Sequence, residues 1–233
     1  ARRAGPRPAP IPRAVVYDFD LLSKARNAAV ADTRLEDLTY VVFDTETTGL
    51  LPAQGDQIVQ IAAVRIVNGK RVAGEVFDTL VNPGRSIPAS STAVHGITDA
   101  MVAEAPNIAE VGRAFHKFAE GAVLVAHNAP FDLEFLRRQE LMIGARFDHP
   151  VLDTVLLSAV IYGQHEVHSL DALTHRLDIT IPEEARHTAL GDTVATADAF
   201  LKLLPMLKGR GLVSFGDVVT EVRRHGRLLK DMN

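Results

Sequence analysis

The chain has 233 residues, with 25 Lys and Arg against 29 Asp and Glu, and it contains no cysteine. This length suits one large domain or one domain with an extension, and the missing cysteines exclude disulfides and thiolate metal sites. The net charge of −4 argues against a protein that coats nucleic acid through a broad basic surface, although it is compatible with an enzyme that grips a strand end. No apolar run approaches the roughly 20 residues of a membrane-spanning helix, so we expect no membrane contact and a cytoplasmic location.

The N-terminal part differs in composition from the rest. The chain begins with Ala1 rather than Met, so we expect it to be processed or cut from a longer protein. Residues 1–13 interleave proline with arginine, which predicts an extended linker or tail. Residues 14–37 are interpreted as an N-terminal extension, in which Asp18 and Asp20 are surface or capping residues.

From residue 38 onward the pattern of apolar residues becomes regular. Strands are predicted at 39–44, 57–67, 71–80, 122–126 and 150–152. Helices are predicted at 108–119, 130–142, 153–161, 169–176 and 189–204, with a further amphipathic segment near 216–230. Asn68-Gly69 indicates a hairpin between the second and third strands, and Pro205 is expected to end or kink the last of these helices. A hairpin followed by alternating helices and strands predicts an α/β fold with a mixed sheet flanked by helices.

Two carboxylates end the first predicted strand. Asp44 and Glu46 follow an apolar run at 40–43 and precede Thr47-Thr48-Gly49. Because residues i and i+2 of a strand share one face, both acids are expected to project from one side of the strand's end. Two carboxylates on the same face repel one another unless a cation lies between them. Carboxylate oxygens are hard ligands, which Mg²⁺ and Mn²⁺ prefer. The pair therefore predicts a divalent-cation site.

Two further segments carry candidate site residues. Asp132 falls in the first turn of a predicted helix, where Pro130 fits and the helix dipole favours a negative charge. Taken alone, Asp132 is interpreted as a cap and His127 as a residue that orients the loop. His187 lies five residues before Asp192 at the start of an apolar helix. Two divalent ions need several carboxylates to hold them, and an imidazole near such ions can deprotonate water.

Together, the segments 44–50, 127–132 and 187–192 resemble the motifs of the DEDDh branch of the DnaQ-like 3′→5′ exonucleases, the family of the epsilon subunit of bacterial DNA polymerase III. The resemblance covers about residues 38–207. It implies a ribonuclease H-like fold, a five-stranded mixed sheet with helices on both faces. The exonuclease domain is then expected at 38–210 and a C-terminal helical tail at 211–233.

The resemblance also implies the chemistry. Asp44, Glu46, Asp132 and Asp192 would hold two divalent cations, Mg²⁺ or Mn²⁺, and His187 would act as general base. Asp44 would bridge the two ions, whereas Asp132 would hold them largely through water. The reaction would release nucleoside 5′-monophosphates from DNA 3′ ends, preferably single-stranded or frayed ones.

Residues around the substrate are implied in the same way. Thr47, with the backbone after Glu46, is expected to meet the terminal nucleotide, and His95 matches a family histidine near the substrate. Phe131 either stacks on a base or packs in the core, and packing is favoured. Ser90 stands where the polymerase subunit has an acidic residue that touches the 3′ terminus, so we expect terminus recognition to differ in detail.

Three other features have structural interpretations. A zinc site at His165 and His168 is disfavoured because Ser169 is expected to cap a helix that begins after them. Asp153 is expected to cap the next helix and order its loop. The basic cluster around residues 223–227 is interpreted as a solvated helix face.

The sequence is compatible with alternative functions. An exoribonuclease of the same superfamily shares these acids, and no sequence feature reads the 2′-hydroxyl. A catalytically silent nucleic-acid-binding or regulatory module is also possible in principle, although none of the acids is missing. Since no clamp-binding peptide is recognisable, a free-standing exonuclease or an exonuclease domain of a longer protein is favoured over a replicase subunit.

Overall fold

The computed structural model describes the backbone of residues 27–230 and the side chains of residues 27–225. The predicted linker at 1–13, most of the extension at 14–37, and Asp18 and Asp20 lie outside the described residues. Among residues 27–230, no helix combines the length and the apolar character that crossing a membrane requires.

Five strands form one mixed sheet in the order β3-β2-β1-β4-β5. The strands are β1 (Tyr40–Thr47), β2 (Ile58–Val67), β3 (Lys70–Leu80), β4 (Val123–Ala126) and β5 (Val151–Asp153). β1 lies in the middle, antiparallel to β2 and parallel to β4, and β4 is parallel to β5. The hairpin between β2 and β3 has positive φ at both Asn68 and Gly69 (51° and 73°), as the two-residue turn requires. The predicted five-stranded mixed sheet is confirmed.

β1 extends three residues beyond its predicted end at position 44. Glu46 pairs with Gln60 and Thr47 with Ile58 across an irregularity in the register. The antiparallel partner strand therefore carries β1 past Glu46, and both acids belong to a hydrogen-bonded strand rather than to the loop after it.

Helices cover both faces of the sheet. They are α1 (Asn27–Val30), α2 (Ala89–His95), α3 (Asp99–Val102), α4 (Ile108–Phe118), α5 (Ala129–Arg137), α6 (Glu140–Ile143), α7 (Thr154–Tyr162), α8 (Leu170–Arg176), α9 (Ala189–Gly209) and α10 (Phe215–Lys230). Short 3-10 turns occur at Leu35–Asp37, Pro52–Gln54 and Glu183–Ala185. α2 and α3 have no counterpart among the predicted elements.

Two predicted helix boundaries were wrong. The segment 130–142 is divided between α5 and α6, because Gln139 leaves the helical region with a ψ of 7°. α9 does not end at Pro205 but continues to Gly209. Proline costs the helix one backbone N–H. Leu203 and Leu207, on either side of Pro205, are fully buried, and their packing on the domain keeps the last turns helical despite this loss.

The side chains of β1 alternate between two cores. Tyr40 and Val42 belong to a cluster with residues of α7, α9 and α10, whereas Val41 and Phe43 belong to a cluster with residues of α4 and α5. By the same alternation Asp44 and Glu46 face α9, and Thr45 between them faces α5. The two faces of β1 thus lead to different helices.

The C-terminal helix α10 shares the first of these cores. Phe215 and Val218 are fully buried in it. Backbone amides at Phe215 and Gly216 donate to the carbonyls of Thr33 and Ala31 at 3.0 and 2.8 Å, which ties the start of α10 to the residues after α1. The predicted domain boundaries at 37/38 and 210/211 stay predictions.

Candidate metal centre and nucleotide cleft

Three carboxylates come together where β1 meets the first turn of α9. Asp44 and Glu46 project from β1, and Asp192 lies in the first turn of α9; one oxygen from each lies within 4.8 Å of the other two. Glu46 is almost fully buried, with 5% of its surface exposed. The sequence predicted that four acids hold the ions, and three of these four meet here.

This donor set fits a hard divalent cation. Mg²⁺ holds its oxygen ligands at about 2.0–2.1 Å, so ligands on opposite sides of one ion lie roughly 4 Å apart. Three carboxylate oxygens within 4.8 Å of one another need only a small closure to reach that spacing. Without a counter-ion their mutual repulsion is unfavourable, which makes a cation the natural occupant of this group.

The fourth acid, Asp132, is outside this three-carboxylate group and contacts β1 through Thr45. It is fully buried in the first turn of α5, and its Oδ1 accepts hydrogen bonds from the Thr45 amide at 3.1 Å and from the Thr45 hydroxyl. Thr45 is the residue between the two acids of β1. The fourth acid is therefore linked to the other three through one strand residue, a connection that the sequence motifs did not reveal.

The backbone of His187 is held in an uncommon conformation next to Asp192. It lies between the 3-10 turn at Glu183–Ala185 and α9, in the left-handed region with φ of +63°. Its backbone amide donates to Asp192 Oδ1 at 3.3 Å. A non-glycine residue held in this region is uncommon and requires support from its surroundings. The bond to Asp192 therefore couples the backbone of the candidate base to a candidate metal ligand.

Gly191 allows the segment before His187 to pack closely on α9. A Cβ added at Gly191 would lie 1.9 Å from the Ala185 carbonyl oxygen and 2.7 Å from Thr188 Oγ1. Thr188 caps α9 by accepting from the Gly191 amide at 3.0 Å, and its hydroxyl donates to the Ala185 carbonyl at 2.7 Å. Sequence analysis missed this residue, although a glycine in the first turn of an otherwise apolar helix was a usable signal.

An open cleft of about 260 Å³ begins beside Glu46. Residues from the turn after β1 and from α2 line it: Glu46, Thr47, Thr48, Gly49, Leu50, Asp56, Pro88, Ser90, Ser91, Val94 and His95. Thr47, His95 and Ser90, three positions that sequence analysis related to the terminal nucleotide, thus meet in one cleft next to the acids.

Helix α2 clamps the turn that forms one wall of the cleft. His95 Nδ1 accepts from the Ile97 amide at 3.0 Å, so Nε2 is the donor to the Thr47 carbonyl at 3.1 Å. Ser91 Oγ donates to the Thr48 carbonyl at 2.6 Å. The Thr47 hydroxyl donates to the Gly49 carbonyl within the turn at 2.7 Å. These bonds give the wall a fixed shape.

Asp56 supports the same turn from the other side. Its carboxylate accepts from Thr48 Oγ1 at 2.8 Å and from the Leu51 amide at 3.0 Å. A Cβ added at Gly49 would lie 2.3 Å from Asp56 Oδ2. Glycine at position 49 is therefore needed for the close approach of this carboxylate, which sequence analysis did not identify.

Phe131 lies in the core between the sheet and α5. It has 6% of its surface exposed and packs edge-on against Phe135, with ring centroids 5.1 Å apart. This placement agrees with the packing interpretation that sequence analysis favoured over stacking on a base.

His127, just before α5, and His168, just before α8, both hydrogen-bond to neighbouring loops. The ring of His127 is hydrogen-bonded to Thr154 Oγ1 and to the His168 carbonyl, each at 2.8 Å. His168 Nε2 donates to the Gly163 carbonyl at 2.8 Å, and Nδ1 accepts from Ser158 Oγ at 2.8 Å. Burial lowers the pKa of His168 below its usual value. The two bonds of the His127 ring are compatible with the loop-orienting interpretation, which stays a prediction.

Comparison with known proteins identifies the family. A family model described as Exonuclease matches residues 41–200. The chain belongs to the exonuclease family. This exonuclease chain is 77% identical over 237 residues to a DNA polymerase III subunit epsilon-like protein of Rhodobacter capsulatus, a match that covers 100% of the chain and 34% of that protein. The resemblance to epsilon-like exonucleases that the motifs indicated is confirmed.

A second relative contains the same domain. The exonuclease chain is 38% identical over 180 residues to the PolC-type DNA polymerase III of Bacillus subtilis. This match covers 76% of the chain and 12% of that protein. The chain therefore spans only a minor part of the length of either relative.

Solved structures agree with the family. Exonuclease X in complex with 5′ overhanging duplex DNA has a TM-score of 0.57 at 28% identity and covers 77% of the exonuclease chain and 99% of its own. Exonuclease I of E. coli in complex with a dT13 oligonucleotide has a TM-score of 0.62 at 20% identity. The match covers 74% of the exonuclease chain and 42% of exonuclease I, and it supports the fold alone. The predicted ribonuclease H-like fold is confirmed.

Proposed function

We propose that this chain is a metal-dependent 3′→5′ exonuclease that releases nucleoside 5′-monophosphates from DNA. The observation that carries the proposal is the convergence of Asp44, Glu46 and Asp192, together with a cleft that Glu46 also lines. Membership of the exonuclease family supports hydrolysis of a nucleic acid. The related exonuclease X is described as bound to duplex DNA, which favours DNA as the substrate.

Each acid has a part in the proposed site. Asp44, Glu46 and Asp192 would hold divalent cations, Mg²⁺ or Mn²⁺, and Asp132 would contribute a fourth carboxylate from the first turn of α5. Such cations, when bound, neutralise charge on a phosphate and lower the pKa of water. The chain's own carboxylates fix where this positive charge lies relative to the cleft, and electrostatic stabilisation of this kind is usually the largest catalytic effect.

His187 takes the proton from the attacking water. The water oxygen bonds to phosphorus while the bond from phosphorus to the 3′ oxygen of the preceding nucleotide breaks, and that oxygen takes up a proton from solvent. The backbone bond from His187 to Asp192 keeps the base next to the ligand group during this step. The terminal nucleotide occupies the cleft against the turn that includes Thr47, beside the ring of His95.

The test is digestion of single-stranded DNA labelled at either end, with Mn²⁺ or Mg²⁺. We expect 5′-mononucleotides to appear from the 3′ end first, and D44N to abolish their release. D171N is the matched control, because Asp171 is an exposed acid on α8 and the substitution makes the same change in charge. Equal rates for the wild type and D44N, or release from the 5′ end, would contradict the proposal. RNA of the same sequence in a parallel reaction tests the exoribonuclease alternative.

We also propose that the chain acts together with a DNA polymerase. Both relatives carry DNA polymerase III in their names, and the chain spans 34% and 12% of their lengths. This favours an exonuclease region of a larger polymerase system over the free-standing enzyme that the sequence suggested as one option. Co-purification of the full-length protein with a replicative polymerase is the expected result, and isolation of the protein alone under mild conditions would contradict it.

A further inference from the structure

Asp153 bonds to the N-termini of two helices at once. It is the last residue of β5 and is buried, with 4% of its surface exposed. Its Oδ1 accepts from the Val155 amide of α7 at 2.9 Å and from the Asn128 amide at 3.0 Å. Its Oδ2 accepts from the Ala129 amide of α5 at 3.0 Å. The carboxylate therefore joins the loop after β4 to the loop after β5, in addition to capping the next helix.

The two amides on the α5 side lie in the interior of the protein. Asn128 is 5% exposed and Ala129 is fully buried, so neither can turn to bulk water if Asp153 is changed. Pro130 follows directly and has no N–H to offer. Loss of a charged acceptor from buried donors is costly, and the segment that begins α5 would have to move to find new partners.

The first turn of α5 also carries Asp132. That carboxylate lies three residues beyond Ala129, is fully buried, and accepts two hydrogen bonds from Thr45 of β1. The same turn is thus fixed at one end to β5 through Asp153 and at the other to β1 through Asp132. A displacement of the first end changes the position of the second relative to the acids of β1.

We propose that Asp153 is a positioning residue for Asp132, holding the first turn of α5 so that the Asp132 carboxylate lies against Thr45. The inference rests on the proposed exonuclease function for its catalytic consequence. It goes beyond helix capping, since a cap of α7 alone would use only the bond to the Val155 amide. Burial raises the pKa of Asp153 to about 6, and at neutral pH the charged form faces the positive ends of two helix dipoles.

Two substitutions separate capping from positioning. In D153S the serine keeps an oxygen for the Val155 amide, because serine caps helices about as well as aspartate, but its single oxygen cannot serve α5 as well. In D153N the shape is kept, while an amide NH₂ replaces the acceptor that faces the Ala129 amide. N107A is the control, since Asn107 caps the remote helix α4 by accepting from the Glu110 amide.

The readouts include two that do not depend on activity. In metal-free protein, amide hydrogen exchange should accelerate at Ala129 in D153S, and the amide resonance of Thr45 should shift because its acceptor is Asp132 Oδ1. Mn²⁺ binding measured by calorimetry should weaken. With DNA, kcat should fall by about 10- to 100-fold, as for other residues that orient metal ligands, with KM little changed. N107A should lower Tm but leave metal affinity and kcat at wild-type values.

The results distinguish the inference from the proposed function. If D153S and D153N keep the wild-type Thr45 resonance and Mn²⁺ affinity, Asp153 is only a cap and the inference is overturned. If instead the wild type binds Mn²⁺ but releases no mononucleotide, the proposed function fails, while the Thr45 and Mn²⁺ measurements still decide the role of Asp153.

Discussion

Replacing Gly191 with alanine is a direct test of how the site is assembled. The new Cβ would lie 1.9 Å from the Ala185 carbonyl oxygen, and real Cβ contacts are not closer than 3.0 Å, so the two must separate by about 1 Å. The displaced segment leads directly into His187, whose backbone is bonded to Asp192. A misplacement of about 1 Å near reacting groups costs about 100-fold in rate. We therefore expect G191A to lower kcat by about 100-fold with a smaller change in KM.

Gly209 provides the matched control at the other end of α9. Within the described part of the chain, a Cβ added there would meet no heavy atom within 4 Å. Alanine gains up to about 1 kcal/mol of helix propensity over glycine at either position, so any difference in activity between the two variants reports the contact with Ala185. Steady-state hydrolysis of a labelled oligonucleotide with saturating Mn²⁺, together with circular dichroism, measures the effect. A folded G191A protein with the kcat of G209A would refute the argument.

Three further predictions concern the acids. T45V removes one of the two donors to Asp132 and leaves the Thr45 amide; because a hydrogen bond to a charged group contributes about 1.5–3 kcal/mol, the free energy of unfolding should fall by about that amount, and an unchanged denaturant midpoint would contradict it. D44N should raise the Tm of metal-free protein, because fewer like charges face one another, and should diminish the rise in Tm on adding Mn²⁺; thermal scans with and without EDTA measure both. For Asp153 the folded-state pKa, about 6, lies above the ordinary value of 3.8, so its stabilisation is complete below pH 3.8 and is lost as the pH rises through 6. The free energy of unfolding of the wild type relative to D153N should then fall by about 2 kcal/mol between pH 4 and pH 7, and denaturant titrations showing no pH dependence of this difference would contradict it.

Local sequence signals predicted the parts of the fold that local physics determines. The alternation of side chains along β1 predicted one face for Asp44 and Glu46, and Asn68-Gly69 predicted a hairpin whose φ values are both positive. α2 and α3 were missed because both are short, at seven and four residues, and lack an extended apolar period. The position of α2 depends on its contacts with Thr47 and Thr48, and that of α3 on the bond from the Ile87 amide to Asp99, which only the folded chain brings together.

The motifs predicted the four acids but not the contact that joins Asp132 to β1. The spacing of residues along β1 contained the information that Thr45 faces away from its neighbours, yet the partner on that face, Asp132, is 87 residues distant in the sequence. Such a contact depends on where α5 packs, and no local pattern specifies it. The same holds for Asp153, whose bonds to Asn128 and Ala129 cross between neighbouring parallel strands.

The two faces of β1 therefore control different parts of the site. The position of Asp192 depends on the packing of α9 against β1. In that contact the ring centroids of Phe200 and Tyr40 lie 4.7 Å apart. Asp132 depends on the packing of α5 on the opposite core. Since protein cores are close-packed and transmit small shifts, a cavity under α9 should disturb the three-carboxylate group and the backbone of His187, whereas a cavity under α5 should act on the bond to Thr45. Because β1 contributes side chains to both cores, it fixes the position of the three-carboxylate group relative to Asp132.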